Sequence, residues 1–252
     1  MIDRPPKGER QGLRHNGRTS RTAEPKLTYA GYLRLAEILS AQHPLAPDEH
    51  GAGVRAAEHF FIVTHQAFEL WFKQLLLDLH CAAQLLPPPR ADPEMALDHL
   101  QRAASVLRLL VQQMVLFDHL SPRSFLAFRP YLGSASGSES AQFRDVQKAL
   151  GLRGQAGSPA YNAFLSALQA TELKLEDLYH DPSRAGVLYR VAEGLVDISE
   201  QFWQLCAVHV QIAERTIGQR PGTGGTTGVA YLAEGLENAR AFPDLWDIRT
   251  RL

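Results

Sequence analysis

A histidine in an aromatic helical pattern is the first group in this sequence that could serve chemistry. Phe61, His65, Phe68 and Phe72 recur at i, i+4, i+7 and i+11, which places them on one face of a predicted helix. A buried imidazole costs free energy unless a partner satisfies its nitrogens. The pattern therefore fits either a core histidine bonded to a carbonyl or a histidine that meets a bound ligand.

A second histidine lies in an apolar stretch towards the carboxyl end of the chain. Ala207, Val208 and Val210 flank His209, and Cys206 precedes it by about one helical turn. A neutral imidazole on an apolar helix is what an axial haem ligand requires, although a packed core histidine gives the same pattern. Cys206 and His209 alone do not make a zinc site, so we interpret Cys206 as a core residue.

The segment 222–228 is rich in glycine and threonine. It lacks the Lys-Ser/Thr ending of a phosphate-binding loop, and it follows a predicted helix instead of a strand. Glycines let backbone amides and hydroxyls approach a ligand closely, and the low charge suits a zwitterion better than a polyphosphate. A flexible connector is the alternative.

Helical periodicity dominates the chain, and strand-like alternation is nearly absent. We predict an all-α, single-domain helical bundle, because the long helices need one another to bury their apolar faces. The predicted helices cover residues 28–42, 54–86, 93–118, 140–150, 158–179 and 182–218, with irregular chain at 120–140.

The composition is that of an ordinary globular protein. Among 252 residues, 45% are hydrophobic and 21% are charged, and the net charge of −1 does not favour a nucleic-acid partner. Two cysteines far apart fit a reducing cytoplasm, and no apolar run reaches the roughly 20 residues that span a bilayer. Residues 1–24 carry no hydrophobic leader and are predicted to be a disordered tail, which leaves residues 25–252 as the domain.

Four segments, taken in order, resemble tryptophan 2,3-dioxygenase over about nine-tenths of the chain. Each segment is weak by itself, and their joint order and spacing are specific. They are 27–35 with 40–42 (LTYAGYLRL, SAQ), 61–66 with 69–71 (FIVTHQ, ELW), 128–133 with 140–144 (FRPYLG, SAQFR), and 214–218 with 222–225 and 242–250 (ERTIG, GTGG, FPDLWDIRT).

The resemblance implies a helical bundle that encloses haem b, of the tryptophan/indoleamine dioxygenase kind, assembled as a homotetramer. It implies that His209 is the axial ligand of the haem iron and that His65 is the distal, catalytic histidine near the indole nitrogen. Phe61 would pack on the indole ring.

The remaining implied site residues bind the amino-acid part of the substrate. Arg129 would pair with its carboxylate, since a planar guanidinium suits that group, and Thr223 would bond its ammonium or carboxylate. Tyr29 and Tyr32 match positions that the family lends to a neighbouring subunit's pocket.

The resemblance also implies the reaction. Both atoms of O2 would enter L-tryptophan across the indole C2–C3 bond to give N-formylkynurenine, as in tryptophan catabolism by the kynurenine pathway. One alternative is an oxygenase of a modified, for example methylated, tryptophan that inserts one oxygen. A haem or indole sensor without activity is another. A zinc hydrolase comes last, because His59 and His65 do not have the HExxH spacing.

The sequence departs from the family pattern at four places. Leu205–Val208 replace a Trp-Arg-aromatic-Arg run, which removes two positive charges before His209. Ala67 and Phe68 replace Thr-Ser after the distal histidine, and Phe125 stands where Tyr is frequent in bacterial members. The connection 48–58 is also longer than usual.

Overall fold

The computed structural model describes residues 26–252, so the predicted tail at 1–24 lies outside the described residues. Every regular element in the described part is helical, which confirms the all-α prediction. The α-helices are α1 (Tyr29–Tyr32), α2 (Leu35–Ile38), α3 (Ala52–Leu85), α4 (Pro93–Gln113), α5 (Pro122–Phe128), α6 (Ala141–Ala149), α7 (Pro159–Ala170), α8 (Leu175–His180), α9 (Pro182–Ala185), α10 (Val187–Ile217), α11 (Val229–Glu237) and α12 (Pro243–Asp247). Short 3-10 helices cover Asp48–His50, Met114–His119, Arg129–Leu132, Gly137–Glu139 and Ile248–Thr250.

The described residues group into two compact units, which divide between Ala41 and Gln42. The first unit contains α1 and α2, and the second contains α3 to α12. The assignment of residues 25–252 to one domain stays a prediction.

The first predicted helix, over residues 28–42, is wrong in its continuity. The structure has two one-turn helices there, because Arg34 has a φ of 52° in the left-handed region and cannot continue a right-handed helix. Thr28 caps α1 by accepting a hydrogen bond from the Gly31 amide at 3.1 Å.

Left-handed residues also interrupt two other predicted helices. Glu172, with a φ of 58°, lies between α7 and α8 in the predicted helix 158–179. Gly186, with a φ of 59°, separates α9 from α10 in the predicted helix 182–218. Glycine adopts this conformation without steric cost, so the second interruption is built into the sequence.

The segment 120–140, predicted as irregular, contains α5 and two 3-10 helices. Pro122 begins α5, where its fixed φ suits the first helical position and its missing N–H is no loss. The predicted helix 93–118 has an α-helical part that ends at Gln113, and its last turns tighten into the 3-10 helix Met114–His119.

Three long helices form the centre of the second unit. Helix α4 packs extensively against both α3 and α10, which buries Leu75 of α3, Leu100 and Leu107 of α4, and Leu195 of α10. Each fully buried leucine contributes about 1.5–3 kcal/mol relative to exposure. This packing holds α3 and α10 as rigid supports for the two histidines that they carry.

A buried carboxylate joins α3 to α4. The side chain of Asp78 is fully buried and accepts hydrogen bonds from Gln74 at 2.9 Å, His99 at 2.7 Å and Arg102 at 3.0 Å. Burial by itself raises the pKa of Asp78, but the bonds from Arg102, Gln74 and His99 outweigh it and hold that pKa below its usual value.

No helix in the part of the chain that the structure describes is long and apolar enough to cross a membrane.

Candidate functional site

A cavity of about 580 Å³ opens in the second unit, within the usual size range of ligand pockets. Its walls come from α3, α10, α5, α6, α11 and the glycine-rich loop. Five of the predicted site residues line this one cavity: Phe61, His65, Arg129, His209 and Thr223. The other two, Tyr29 and Tyr32, lie on α1 in the first unit, where 76% and 71% of their surfaces are exposed.

His65 is held by the backbone of its own helix. Its Nδ1 lies 2.8 Å from the carbonyl oxygen of Phe61, one turn earlier. A carbonyl can only accept, so Nδ1 carries the proton and Nε2 is left as a hydrogen-bond acceptor. Burial lowers the pKa of His65, although the Phe61 bond and the charge of Glu69 act in the opposite direction, and the ring is therefore neutral near pH 7.

Aromatic rings surround His65 on the same side of the cavity. The Phe61 ring centroid lies 4.0 Å from that of His65, and Phe117 meets the His65 ring edge-on at 5.4 Å. Phe125 and Phe128 complete the cluster at 5.7 and 5.5 Å from Phe61. Such a box suits a flat aromatic ligand, because offset and edge-to-face ring pairs contribute beyond simple burial.

His209 enters the cavity from α10. His209 is solvent-accessible through the open cavity, and desolvation by the protein around it, followed by the charge interaction with His65, lowers its pKa to about 4, so the ring is neutral near pH 7. Its side chain makes no hydrogen bond to another described residue. A neutral imidazole with a free nitrogen is the form that binds a metal centre.

The polar end of the cavity ties two loops together. Arg129 donates from Nη2 to the carbonyl oxygen of Pro221, and the Thr223 hydroxyl donates to the carbonyl oxygen of Ala135 at 2.6 Å. Both bonds hold the glycine-rich loop against the segment that follows α5. Gly228 closes this loop at a φ of 70°, where an added Cβ would lie 2.4 Å from the Arg220 carbonyl oxygen.

Helix α6 brings lining residues to which the sequence analysis assigned no role. Gln142 anchors α6 to α3 through bonds of 2.8 Å to both the backbone oxygen and the carboxylate of Glu69. Arg144 and Gln147 then face the cavity, with Arg153 just beyond the helix. The i, i+3 spacing of Arg144 and Gln147 was visible in the sequence, but nothing there showed that this helix faces the site.

These residues fit a flat, largely apolar cofactor with an axial imidazole, such as haem. His209 could supply the imidazole, and most of the exposed wall surface is apolar. Burial raises the pKa of the neighbouring Cys206 thiol to about 12, so at neutral pH it is not a thiolate that could compete as ligand. Between residues 26 and 252, no three His, Cys, Asp or Glu side chains cluster in a way that could hold a metal ion.

The helical fold of the described residues and this cavity define a helical-bundle protein whose pocket holds a neutral imidazole, an aromatic cluster and an arginine. The chain matches the family described as "Tryptophan 2,3-dioxygenase" over residues 14–175 and 161–252. It belongs to that family, whose members are haem-dependent dioxygenases, and the expected family resemblance is confirmed.

Individual relatives agree with the family match. The tryptophan 2,3-dioxygenase of Caulobacter vibrioides is 35% identical, over 90% of this chain and 98% of the relative. The enzyme of the same name from Burkholderia pseudomallei (strain 668) is also 35% identical, over 90% of this chain and 85% of its own. The tryptophan 2,3-dioxygenase of Anaeromyxobacter sp. (strain K) is 34% identical, over 90% of this chain and 96% of the relative.

Proposed function

We propose that this protein inserts both atoms of O2 across the indole C2–C3 bond of L-tryptophan and releases N-formylkynurenine. One observation carries the proposal: a single cavity brings together His65, His209, Arg129 and Thr223. In this proposal His209 is the axial imidazole and His65 accepts the indole N–H. Arg129 and Thr223 bind the carboxylate and ammonium groups of the amino acid. The family match and the names of the relatives support the same reaction.

Haem b is the proposed cofactor, and His209 would be the axial ligand of its iron. When bound, haem supplies the oxygen chemistry, which protein side chains alone do not provide. The Leu205–Val208 run before His209 carries no charge, so the ligand ring would lie in a more apolar setting than the family pattern gives.

The protein's own residues would bind and orient the substrate. Arg129 would pair with the carboxylate and Thr223 with the ammonium or carboxylate, since a buried unpaired charge is costly. Phe61 would pack on the indole, and the lone pair of His65 Nε2 would accept the indole N–H. In this role His65 orients the ring without removing its proton.

The proposal extends to the assembly. We propose a homotetramer in which Tyr29 and Tyr32 reach the pocket of a neighbouring subunit, which fits their exposed rings on α1. The catalytic domain would be residues 25–252, acting in the cytoplasm. Light scattering on the purified protein tests the tetramer, and a monomeric mass would contradict it.

The decisive experiment is a product analysis. The haem-loaded, reduced protein is mixed with L-tryptophan under isotopically labelled dioxygen, and the product mass is measured. We expect two labelled oxygens and the absorbance of N-formylkynurenine, with no product from the haem-free protein. One labelled oxygen, or no reaction until a methylated tryptophan is supplied, would contradict the proposal.

A further inference from the structure

The charges around the cavity are unevenly distributed. In the described chain, the lining residues of α3 and α10 include no arginine or lysine. The cations of the lining are Arg129, Arg144 and Arg153, beside the carboxylates of Glu69 and Glu234. Arg129 already bonds the glycine-rich loop, whereas Arg144 and Arg153 lie in and just after α6.

The end of α6 brings these two arginines to the same wall. Gly151, with a φ of 77°, turns the chain back, and the Leu152 amide bonds the Gln147 carbonyl oxygen at 2.8 Å. This is a Schellman turn, which folds the residues after a helix over its last turn. Arg153 is the residue after Leu152, whose amide bonds Gln147, and so it lies close to the last turn of α6. Arg144 is three residues before Gln147 and lies on the same face of the helix.

Gln147 adds an unsatisfied group to this wall. Its Oε1 is buried and has no hydrogen-bond partner in the structure. Buried side-chain amides almost always have partners, so a bound molecule at this wall can provide the missing hydrogen bond. Oε1 itself can only accept, so a carboxylate would pair here with the amide N–H and not with Oε1. The amide oxygen and nitrogen can exchange places by a half-turn of the side chain, so Gln147 can also present an N–H.

We propose that Arg144, Gln147 and Arg153 bind the carboxylates of the haem. We call these three residues the α6 corner. This inference rests on the proposed function, because haem b carries two propionate carboxylates that need charged partners when they leave water. The helix that carries His209 offers no cation to this cavity, and Arg129 is assigned to the amino acid. Two arginines and an amide remain for the propionates.

The two arginines contribute unequally. Arg144 is half-buried and fixed by a bond from Nη1 to the Ser138 carbonyl oxygen at 2.7 Å, which leaves its other nitrogens for a carboxylate. Arg153 is exposed, so solvent weakens its attraction to a carboxylate. We expect Arg144 to carry the larger share of propionate binding.

The test compares haemin with haemin dimethyl ester, in which both carboxylates are neutral, by absorbance titration of the full-length apoprotein. In wild type we expect haemin to bind more tightly than the ester. Arg144→Gln should weaken haemin about tenfold, and Arg144→Gln with Arg153→Gln about tenfold to a hundredfold, with the ester changed less than about twofold. Arg90→Gln, an exposed arginine outside the cavity lining, is the matched control and should change neither ligand.

A substitution that adds a negative charge provides a test that is independent of the arginine variants. Gln147→Glu keeps the size of the side chain and adds a negative charge beside the proposed propionates. It should weaken haemin about tenfold and leave the ester unaffected, by the same charge argument. Circular dichroism and the unfolding temperature show that each apoprotein is folded.

The outcomes separate this inference from the function. If wild type binds neither haemin nor the ester, the proposed haem function fails. Suppose that wild type binds haemin and forms product. If the ratio of the dissociation constants for haemin and its dimethyl ester is then the same in wild type, the double arginine variant and Gln147→Glu, only the proposal for the α6 corner is overturned. Equal weakening of both ligands would show a purely structural role and would also overturn it.

Discussion

The position of one proton on His65 decides which ligand groups this ring can meet. Because Nδ1 donates to the Phe61 carbonyl oxygen, Nε2 can accept a hydrogen bond but cannot donate one. The lowered pKa keeps the ring in this neutral form at neutral pH. The ring is therefore suited to an N–H donor, such as an indole, and unsuited to an anion.

We expect His65→Ala to keep haem and to retain measurable turnover of L-tryptophan. The loss of one neutral hydrogen bond, about 0.5–1.5 kcal/mol, should lower kcat/KM by roughly two- to tenfold. Steady-state kinetics with 1-methyltryptophan provide the control, because that substrate lacks the N–H and should lose less from the substitution. Complete loss of activity with haem intact would contradict a positioning role and favour a proton-transfer role.

Arg129 is the second residue whose chemistry allows a sharp prediction. Arg129→Lys should raise KM for L-tryptophan at least about tenfold, because an ammonium cannot pair with a carboxylate through two parallel bonds. Turnover of tryptamine, which has no carboxylate, should change little. Arg123→Lys is the matched control, since Arg123 is exposed on α5, the helix just before Arg129, and does not line the cavity. An unchanged KM in Arg129→Lys would remove this residue from the substrate site.

At the scale of elements, Asp78 joins α3, which carries His65, to the central helix α4. We expect Asp78→Asn to lower the free energy of unfolding by about 2–3 kcal/mol at pH 7, because the buried charged hydrogen bonds to His99 and Arg102 are lost. Asp145→Asn is the control, since the Asp145–Lys148 pair is exposed and should contribute about 0–1 kcal/mol.

The stabilisation of the folded state by Asp78 must also decrease as the pH falls. Its folded-state pKa is depressed, so its stabilisation is fully present above the ordinary carboxyl pKa of about 4 and is lost as pH falls through the folded value. Chemical denaturation from pH 7 down to pH 3 should show the gap between wild type and Asp78→Asn narrowing only at the acid end. A gap that stays constant would mean that Asp78 acts through packing.

The sequence predicted the long helices well and their interruptions badly. Strong apolar periodicity predicted α3 and α10, and Pro93 predicted the start of α4. Arg34 and Glu172 adopt left-handed backbone that no local preference indicated, because ordinary side chains take it only when surrounding contacts impose it. The same limit applied to the site: Arg144 ends the quoted motif 140–144 but was given no role, Gln147 lay in no motif, and both gained a place only through the packing of α6.

At the scale of the whole molecule, the cavity lies between α3 and α10, and a ligand there binds only the folded chain. We expect haemin to raise the unfolding temperature, because a ligand at a hundred times its dissociation constant adds about 2.7 kcal/mol of stability. Differential scanning calorimetry with increasing haemin measures this effect. His209→Ala, which removes the proposed ligand, should show a smaller rise, and an equal rise would place haem elsewhere.

The bonds that Arg129 and Thr223 already make to Pro221 and Ala135 have a consequence for selectivity. These backbone carbonyls act as internal competitors for the donors proposed to bind the amino-acid head. An incoming carboxylate must replace these internal hydrogen bonds, so its net binding free energy is smaller than its new bonds alone would give. An indole without a carboxylate has nothing to offer in this exchange, and the self-bonded loop stays as it is. The self-bonds therefore lower the affinity for the amino acid and leave that for simple indoles unchanged, so the protein prefers a carboxylate-bearing ligand less strongly than it would with unpaired donors at Arg129 and Thr223.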